Sequence, residues 1–184
     1  MILGLEKGVV RLVPYSPEWA KLFDEEKQLL IALIGDYVID IQHIGSTSIP
    51  DMIAKPIIDI GIAIKDFEEG QRLVKPIESL GYEYKGENGI PGRHYFVKGN
   101  PTTHHLHVVE IDSEEWKKNI TFRDTLRKNE NLAKEYAELK LSLAEKFKYD
   151  RMAYTDGKTD FVNYVLKLTN SETRQNKNLL TLWL

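Results

Sequence analysis

The sequence predicts an α+β fold in which a mixed β-sheet precedes a group of helices. Apolar residues run almost without interruption from Pro56 to Ile64, as in a strand that is buried on both faces. Two further strand-like segments are joined by a Gly-Asn-Pro turn at residues 99–101, which is typical of a hairpin. From Ser113 onward the spacing of the apolar residues changes from two to about 3.6, which indicates helices beside the sheet.

The first long helix and the segment before it can be placed from local signals. Residues 9–13 are mostly apolar and predict a short strand. Ser16 is expected to cap a helix that has Pro17 at its first position. Helical spacing of apolar residues continues to Leu33, and the mixed charges of the other face indicate a solvated surface.

The centre of the chain carries a single charge inside an apolar strand. Residues 37–44 predict a strand that Gly45-Ser46 ends, and Thr47 or Ser48 is then placed to cap a short helix. Asp59 stands in the middle of the apolar run that follows. Because an aspartate is almost never fully buried without a partner, we expect a metal ion, a cation or hydrogen-bond donors beside it.

The Gly45-Ser46 turn is a candidate phosphate site. Glycine allows backbone N–H groups to approach a phosphate closely, and the N-terminus of a following helix favours an anion. That helix effect is worth only about 0.3–1 kcal/mol, so basic side chains or a metal ion are expected to complete the site. The candidate phosphate-binding residues of this region are Gly45, Ser46, Thr47 and Lys55.

The remaining elements follow the same signals. Residues 66–80 predict a helix that Pro76 is expected to kink and that closes at Gly81. Short strands are expected at Tyr82–Lys85, Arg93–Val97 and His104–Ile111, followed by a helix capped by Ser113, a second at 129–149 and a third that starts at Asp156 or Thr159. A stripe of Trp116, Tyr136 and Leu139 is interpreted as core packing rather than as a ligand site.

His105 and His107 are candidate metal ligands. Side chains two positions apart on a strand point to the same face, and imidazole is a common ligand of transition metals. If this strand pairs with that of Asp59, the three residues would form a site for one metal ion. The other face of the strand offers His104 and Glu110 instead, and only one face can line a cleft. The face of His105 and His107 is favoured as the one that lines the cleft. The alternative is that these histidines are core residues whose ring nitrogens are hydrogen-bonded within the protein.

Several cations are candidates for a rim that binds an anion. The planar fork of arginine suits phosphate, although any one of these residues is more simply explained as a surface or salt-bridged cation. As a set they are Arg93, Lys98, Arg123, Arg127, Arg151 and Lys158, with Tyr95 between the first two and Tyr154 four residues before the last.

The composition limits the kinds of protein this chain can be. With 184 residues, 42% of them hydrophobic, the chain is expected to form one domain over 1–184, with a sheet core at 1–112 and a helical portion at 113–184. The absence of cysteine excludes disulfides and thiolate metal sites and favours a cytoplasmic location.

Net charge and hydropathy argue against two classes of partner. A formal net charge of −3 gives no support to general nucleic-acid binding, which relies on a basic face. No apolar run approaches the roughly 18–20 residues of a membrane span. The apolar C-terminus at 179–184 is expected to pack against the domain or to form a homodimer contact.

The succession of a strand, a Gly-Ser turn, a short helix and a strand carrying aspartate resembles the core of the nucleotidyltransferase superfamily. There the Gly-Ser pair holds the triphosphate, and an Asp-x-Asp/Glu pair on the next strand holds divalent metal. Gly45-Ser46 and Asp59 match this pattern. Position 61, where the second carboxylate would stand, is Gly61.

A narrower resemblance, to the GrpB-like family, runs from about Val10 to Leu168. It rests on Ile44–Pro50, Ala54–Ile60, His104–Val108, Phe122–Arg127, Tyr154 and Lys158. The resemblance implies a nucleotidyltransferase-like fold. We expect a metal-dependent nucleotidyl or phosphoryl transferase, with Asp59, His105 and His107 holding Mg²⁺, Mn²⁺ or Zn²⁺. The alternatives are a catalytically degenerate protein that binds a nucleotide or phosphometabolite, and a structural protein in which Asp59 is simply paired.

Overall fold

A computed structural model describes residues 3–181 of the chain, and side-chain surroundings are described for residues 3–171. Its strands are β1 (Asp40–Ile44), β2 (Ile58–Ile64), β3 (Tyr82–Tyr84), β4 (Arg93–Lys98) and β5 (His104–Glu110). Its helices are α1 (Glu18–Ile34), α2 (Phe67–Gly70), α3 (Val74–Ser79), α4 (Glu114–Lys128), α5 (Glu130–Lys146), α6 (Arg151–Asp156) and α7 (Thr159–Thr181). The predicted α+β class is confirmed.

The strands form one mixed sheet in the order β1-β2-β5-β4-β3. β2 is antiparallel to β1 and parallel to β5, and the predicted hairpin is the antiparallel pair of β4 and β5. The register places Asp59 directly beside His105, and Tyr95 beside His107. Polar residues from three adjacent strands therefore meet at one place on the sheet.

The two faces of the sheet are covered differently. The face that carries Ile58, Ile60 and Ile62 packs against α1 and α3 in the main hydrophobic core. On the other face Trp116 of α4 packs against Ala63 and Val109 at the carboxyl end of β2. The rest of that second face, at the amino ends of β2 and β5, is left for a cleft.

The helices after the sheet have a core of their own. Val165 of α7 packs with Leu126 and Leu132, from α4 and α5. Ile49 and Met52, which follow the Gly45-Ser46 turn, join the same cluster. The helical group is thereby attached to the turn that was predicted to bind phosphate.

Two predictions for the N-terminal region are wrong. Residues 9–13 form no strand, and Val13 makes only a single bridge with Ala54. Helix α1 has Pro17 at its N-cap, with no side-chain cap hydrogen bond. Because Pro17 already has helical dihedral angles, the backbone carbonyl of Ser16 accepts from the Trp19 N–H, and the Ser16 side chain does not cap.

Two further helix predictions need correction. Residues 46–48 form a 3₁₀ helix whose N-cap is Gly45, so Thr47 and Ser48 lie inside it instead of capping it. The predicted helix over 66–80 is divided into α2 and α3 by a 3₁₀ turn, and the division comes before Pro76. The short helix α6, which has no clear apolar period, was not predicted.

The outer strand β1 is tied down by side chains at two backbone carbonyls. Lys27 Nζ donates to the carbonyl of Ile41 at 2.9 Å. Arg123 Nη1 donates to the carbonyl of His43 at 3.0 Å. Both side chains therefore hold β1 in its place at the edge of the sheet.

No helix within residues 3–181 is both long enough and apolar enough to cross a membrane. The apolar segment at 179–184, expected to pack or to form a dimer contact, lies outside the residues whose side chains are described.

Candidate functional site

A cleft of about 710 Å³ opens on the second face of the sheet. Strands β2, β4 and β5 form its floor, and residues of α4, α5, α6 and α7 line its walls. Of the residues predicted for the site, those that line it are Gly45, Ser46, Thr47, Lys55, Asp59, Arg93, Tyr95, His105, His107, Arg123, Arg151, Tyr154 and Lys158. Arg127 and Lys98 are not among the lining residues.

Asp59 is the anionic centre of the cleft floor. His105 Nδ1 lies 3.0 Å from Asp59 Oδ1, and 28% of the Asp59 side chain remains exposed. Burial acts to raise the pKa of Asp59, but the hydrogen bond from His105 and the electrostatic attraction of His105 and the nearby His107 outweigh burial and hold this pKa well below its usual range. An ionised Asp59 accepts the Nδ1–H of His105, so a neutral His105 has its lone pair on Nε2, where it can receive a proton.

His107 has a different set of partners. Its Nδ1 lies 3.2 Å from Nη1 of Arg93, and its Nε2 lies 3.8 Å from Asp59 Oδ1. That Nε2 is buried and has no hydrogen-bond partner among the described residues. Arg93 also lies over the ring of Tyr95, with 4.6 Å between the guanidinium carbon and the ring centroid.

His104 and Glu110, on the other face of β5, bond to other parts of the protein. His104 Nδ1 lies 2.9 Å from the Thr103 hydroxyl, and Glu110 accepts the backbone N–H of Phe67 at 2.9 Å. Neither His104 nor Glu110 lines the cleft. Of the two faces that the sequence left open, the structure brings that of His105 and His107 to the cleft.

Gly45 lies directly beside Asp59, because it follows Ile44, the register partner of Asp59 on β1. Thr47, in contrast, uses its hydroxyl internally. The hydroxyl lies 3.0 Å from Nε2 of His43 and donates to the carbonyl of Ile57 at 3.3 Å. Thr47 therefore supports the turn, and its hydroxyl is committed to these protein groups.

Two lysines approach the Tyr154 ring beside Asp59. Nζ of Lys158 lies 4.6 Å and Nζ of Lys55 lies 5.5 Å from the ring centroid of Tyr154. Burial, helped by the positive charges of Lys158 and Arg151, lowers the pKa of Lys55 to about 7, although Asp59 opposes the shift. Burial also lowers the pKa of Lys158 to about 8, opposed by Asp59 and helped by Arg151. These cations repel one another, as expected of a site shaped for an anion.

The other predicted cations are held by protein groups. Arg123 is 7% exposed and donates to Gln42, Asp124 and the carbonyl of His43. Arg127 donates twice to the carbonyl of Ser48, at 3.0 and 2.6 Å. Both arginines therefore fasten α4 to β1 and to the turn that follows β1. Lys98 pairs with the buried Glu26 at 2.7 Å, away from the cleft.

Tyr136 was interpreted as core packing, and that interpretation is incomplete. The residue is buried, yet it lines the cleft beside the side chain of Ser46. Burial and the charge of Asp59 raise the pKa of Tyr136 to about 12, with the polar side chain of Ser46 opposing them. Lys140, one helical turn later, lies 4.7 Å from the Tyr136 ring centroid and donates to the Ile53 carbonyl. The four-residue spacing of Tyr136 and Lys140, which puts both polar groups on one face of α5, was the sequence signal that could have indicated a role beyond core packing.

The site is crowded at the position on β2 where a second carboxylate would stand. A Cβ at Gly61 would lie 3.2 Å from the Trp116 ring and 3.3 Å from Ile44. These distances are tighter than ordinary contacts, so the position that carries a carboxylate in the nucleotidyltransferase superfamily is filled by neighbours. A second carboxylate on this strand would therefore require Trp116 and Ile44 to shift by a few tenths of an ångström.

The donor set for a metal ion is therefore one carboxylate and two imidazoles. Ligand atoms of Asp59, His105 and His107 lie within 4.8 Å of one another. Such a set suits a transition metal better than Mg²⁺, which prefers oxygen. A ligating histidine donates its other ring N–H to an acceptor, whereas Nδ1 of His107 faces the donor Arg93. Asp59 and His105 are therefore suited to bind a metal ion. His107 can become a third ligand only if Arg93 moves away from its Nδ1.

Comparison with known proteins finds relatives that match most of this chain in sequence. The family model described as GrpB protein matches residues 9–168. The YqkA protein of Bacillus subtilis is 44% identical over 157 residues, which cover 85% of this chain but only 46% of that relative. The glutamate-rich protein GrpB of Alkalihalophilus pseudofirmus is 42% identical over 171 residues, which cover 90% of this chain and 98% of that protein.

A solved structure shares the fold. The crystal structure of the conserved protein GrpB from Enterococcus faecalis superposes with a TM-score of 0.82 at 34% identity. The superposition covers 89% of this chain and 99% of the other. The arrangement of sheet, Gly-Ser turn and helices is therefore that of a nucleotidyltransferase-like fold, as the sequence predicted.

Proposed function

The chain belongs to the GrpB family, and from that premise we propose that it binds a nucleotide or another phosphorylated small molecule in the Asp59 cleft and transfers a nucleotidyl or phosphoryl group. The observation that carries the proposal is the convergence of Lys55, Arg151 and Lys158 on a cleft that has Asp59 on its floor, with Glu115 and Asp156 also among its lining residues. Repulsion among these cations contributes to the lowered pKa of both lysines, and a bound phosphate would relieve it.

Each group has a part in the proposed reaction. The backbone of the Gly45-Ser46 turn and the hydroxyl of Ser46 hold phosphate oxygens, and Tyr136 positions that hydroxyl. Lys55, Arg151 and Lys158 neutralise the negative charge that develops during transfer, which is the main catalytic task in phosphoryl chemistry. Tyr95, Tyr154 and Phe122 supply aromatic surface in the same cleft.

A divalent cation is a separate part of the proposal. Asp59 and His105 would hold it, and it would add positive charge at the phosphate oxygens. The expectation of Mg²⁺, Mn²⁺ or Zn²⁺ at Asp59, His105 and His107 stays a prediction. The binding test therefore includes arms with each metal and an arm without metal.

The second candidate is a binding protein without catalysis. It is favoured by Gly61, because the carboxylate that completes a two-metal site is missing and Trp116 and Ile44 crowd the position where it would stand. Both candidates require the same phosphate site. They differ only in whether a transferred product is formed.

Thermal unfolding with ligands tests the proposal. Nucleoside triphosphates and inorganic pyrophosphate are added to the wild type and to Lys158→Gln, with and without Mg²⁺, Mn²⁺ or Zn²⁺. A ligand at 100 times its dissociation constant stabilises by about 2.7 kcal/mol. This corresponds to several degrees, at about 2–4 °C per kcal/mol for a domain of this size. Lys134→Gln, an exposed substitution on α5, is the matched control and should keep the full shift.

The outcomes separate the candidates. A shift that is lost in Lys158→Gln and kept in Lys134→Gln supports the phosphate site. Chromatographic detection of a transferred nucleotidyl or phosphoryl group then favours the transferase over the binding protein. If no phosphorylated ligand shifts the folded wild type with any metal, both candidates are wrong.

A further inference from the structure

Arg93 determines which ring nitrogen of His107 carries hydrogen. Nη1 of Arg93 lies 3.2 Å from Nδ1 of His107. A guanidinium has only donors and keeps its charge, so Nδ1 must be the acceptor in this contact. In a neutral imidazole with a lone pair on Nδ1, the proton is on Nε2.

The orientation of Arg93 is fixed by the loop before β4. Its Nη2 donates to the carbonyl of Glu87 at 3.1 Å and to that of Asn88 at 3.0 Å. Its Nε donates to the Glu87 carbonyl at 3.3 Å, and the residue is 5% exposed. The guanidinium also lies over the Tyr95 ring. Turning it away from His107 would break these contacts together.

The protonated Nε2 of His107 is then a buried donor without an acceptor. It lies 3.8 Å from Asp59 Oδ1, beyond hydrogen-bond distance, and it has no other partner in the described part of the chain. Buried polar groups in folded proteins are almost always satisfied. His107 lines the cleft, so an oxygen atom of a ligand that enters beside Asp59 can supply the acceptor that this nitrogen lacks.

We infer that Arg93 holds His107 as a hydrogen-bond donor to an acceptor oxygen of the cleft ligand, and thereby prevents Asp59, His105 and His107 from acting together as a three-ligand metal site. Arg93 is a positioning residue in this arrangement, because it acts through His107. The donor role rests on the proposed function of binding a phosphorylated ligand. The tautomer of His107 does not rest on it.

The tautomer can be measured in the ligand-free protein. Long-range ¹H–¹⁵N correlation spectra of histidine distinguish a protonated ring nitrogen from one with a lone pair. We expect His107 to show a proton on Nε2 and a lone pair on Nδ1. A proton on Nδ1 in the folded wild type would overturn the inference without any variant being made.

Metal affinity gives a second and independent readout. Glutamine at position 93 can offer a carbonyl oxygen to an Nδ1–H, whereas lysine can only donate. Calorimetric titration with Zn²⁺ is therefore made on the wild type, Arg93→Gln and Arg93→Lys, each with and without His107→Ala. We expect Arg93→Gln to bind Zn²⁺ about 10–100-fold more tightly than the wild type, and His107→Ala to abolish that gain.

In the wild type and in Arg93→Lys, we expect His107→Ala to leave the Zn²⁺ affinity unchanged. A loss of about tenfold or more in the wild type would show that His107 already ligates, and the inference would be wrong. Circular dichroism confirms that each variant is folded.

The donor role is tested with inorganic pyrophosphate and no metal. We expect His107→Ala to weaken pyrophosphate binding about tenfold, as for loss of a hydrogen bond to a charged group. Unchanged affinity would overturn the donor role while leaving the phosphate site intact. Failure of the wild type itself to bind pyrophosphate would instead refute the proposed function, and the donor role with it, while the histidine spectra still decide the tautomer.

Discussion

Gly45 lies against the carboxylate of Asp59 so closely that a methyl group on the Gly45 Cα would overlap Asp59 Oδ2. Gly45 also has φ of +69°, a backbone conformation that other residues rarely adopt. We expect Gly45→Ala to lower the free energy of unfolding by about 2–5 kcal/mol, because backbone strain and the collision add together. Chemical denaturation measures this loss.

A matched glycine separates strain from collision. Gly86 has φ of +63°, but a Cβ there would meet nothing within 4 Å. Gly86→Ala should therefore cost only about 1–2 kcal/mol, from the left-handed backbone alone. Equal losses in the two variants would show that the contact between Gly45 and Asp59 adds nothing to stability.

Gly61→Asp should damage the fold instead of restoring a second metal ligand. The new side chain would be forced between Trp116 and Ile44, and overpacking costs about 1–3 kcal/mol before the burial of a charge is counted. We expect a lower free energy of unfolding and no gain in Mn²⁺ affinity by calorimetry. A folded variant with tighter Mn²⁺ binding would contradict the steric argument, and Gly61→Ala serves as the uncharged control.

Anion binding should weaken as the pH rises through 7 to 8. The pKa values of Lys55 and Lys158 are lowered to about 7 and 8, chiefly by burial, so both lysines are charged at pH 6 and lose protons above it. Sulfate keeps its charge over this range and is a suitable probe. Calorimetry at pH 7.5 in buffers of different ionisation enthalpy should show proton uptake on sulfate binding, which disappears at pH 6.

The arginine variant at one of these positions provides the control. Lys158→Arg remains charged at every pH tested, so its proton uptake at pH 7.5 should be smaller than that of the wild type. Affinity that is independent of pH in the wild type would mean that the lysines do not face the anion.

Lys140→Met should stabilise the protein below pH 7. Lys140 is 1% exposed, and burial together with the charges of Lys158 and Lys55 lowers its pKa to about 7. In the unfolded chain the pKa is about 10.4. Below pH 7 the folded state carries the full cost of a buried charge, so we expect the variant to gain about 1–3 kcal/mol there. The gain should shrink between pH 7 and 10, where the folded wild type has released its proton.

Urea denaturation at pH 6 and pH 9 measures that difference. Lys134→Met, on the exposed side of the same helix, should show no comparable dependence on pH. A variant that is less stable than the wild type at pH 6 would show that the hydrogen bond from Lys140 to the Ile53 carbonyl outweighs the cost of burial.

The floor of the cleft could be predicted because its signals are local. Asp59 is a charge inside an apolar strand, and strand alternation fixes that His105 and His107 share a face. That the two strands are neighbours stays a condition at the level of sequence, because neither the hairpin nor the apolar run decides which strand lies beside that of Asp59. The structure then placed Asp59 beside His105 in register.

The walls of the cleft could not be predicted to the same depth. Helical spacing shows that Arg123 and Arg127 share a face, but it does not show that backbone carbonyls of His43 and Ser48 occupy them. Tyr136 has the spacing of a core residue, and only the tertiary fold turns its hydroxyl toward Ser46. The bond from Arg93 to His107 likewise depends on strand register and on a loop whose conformation no periodicity reveals.

The side chains on β1 have a consequence for the behaviour of the protein in a crowded solution. An outermost strand normally presents free backbone groups, on which a second molecule can build an intermolecular sheet. Here the carbonyls of Ile41 and His43 already accept from Lys27 and Arg123, and a lysine is poorly tolerated inside such a sheet. The same two cations that fix the strand thus make it a poor template for aggregation.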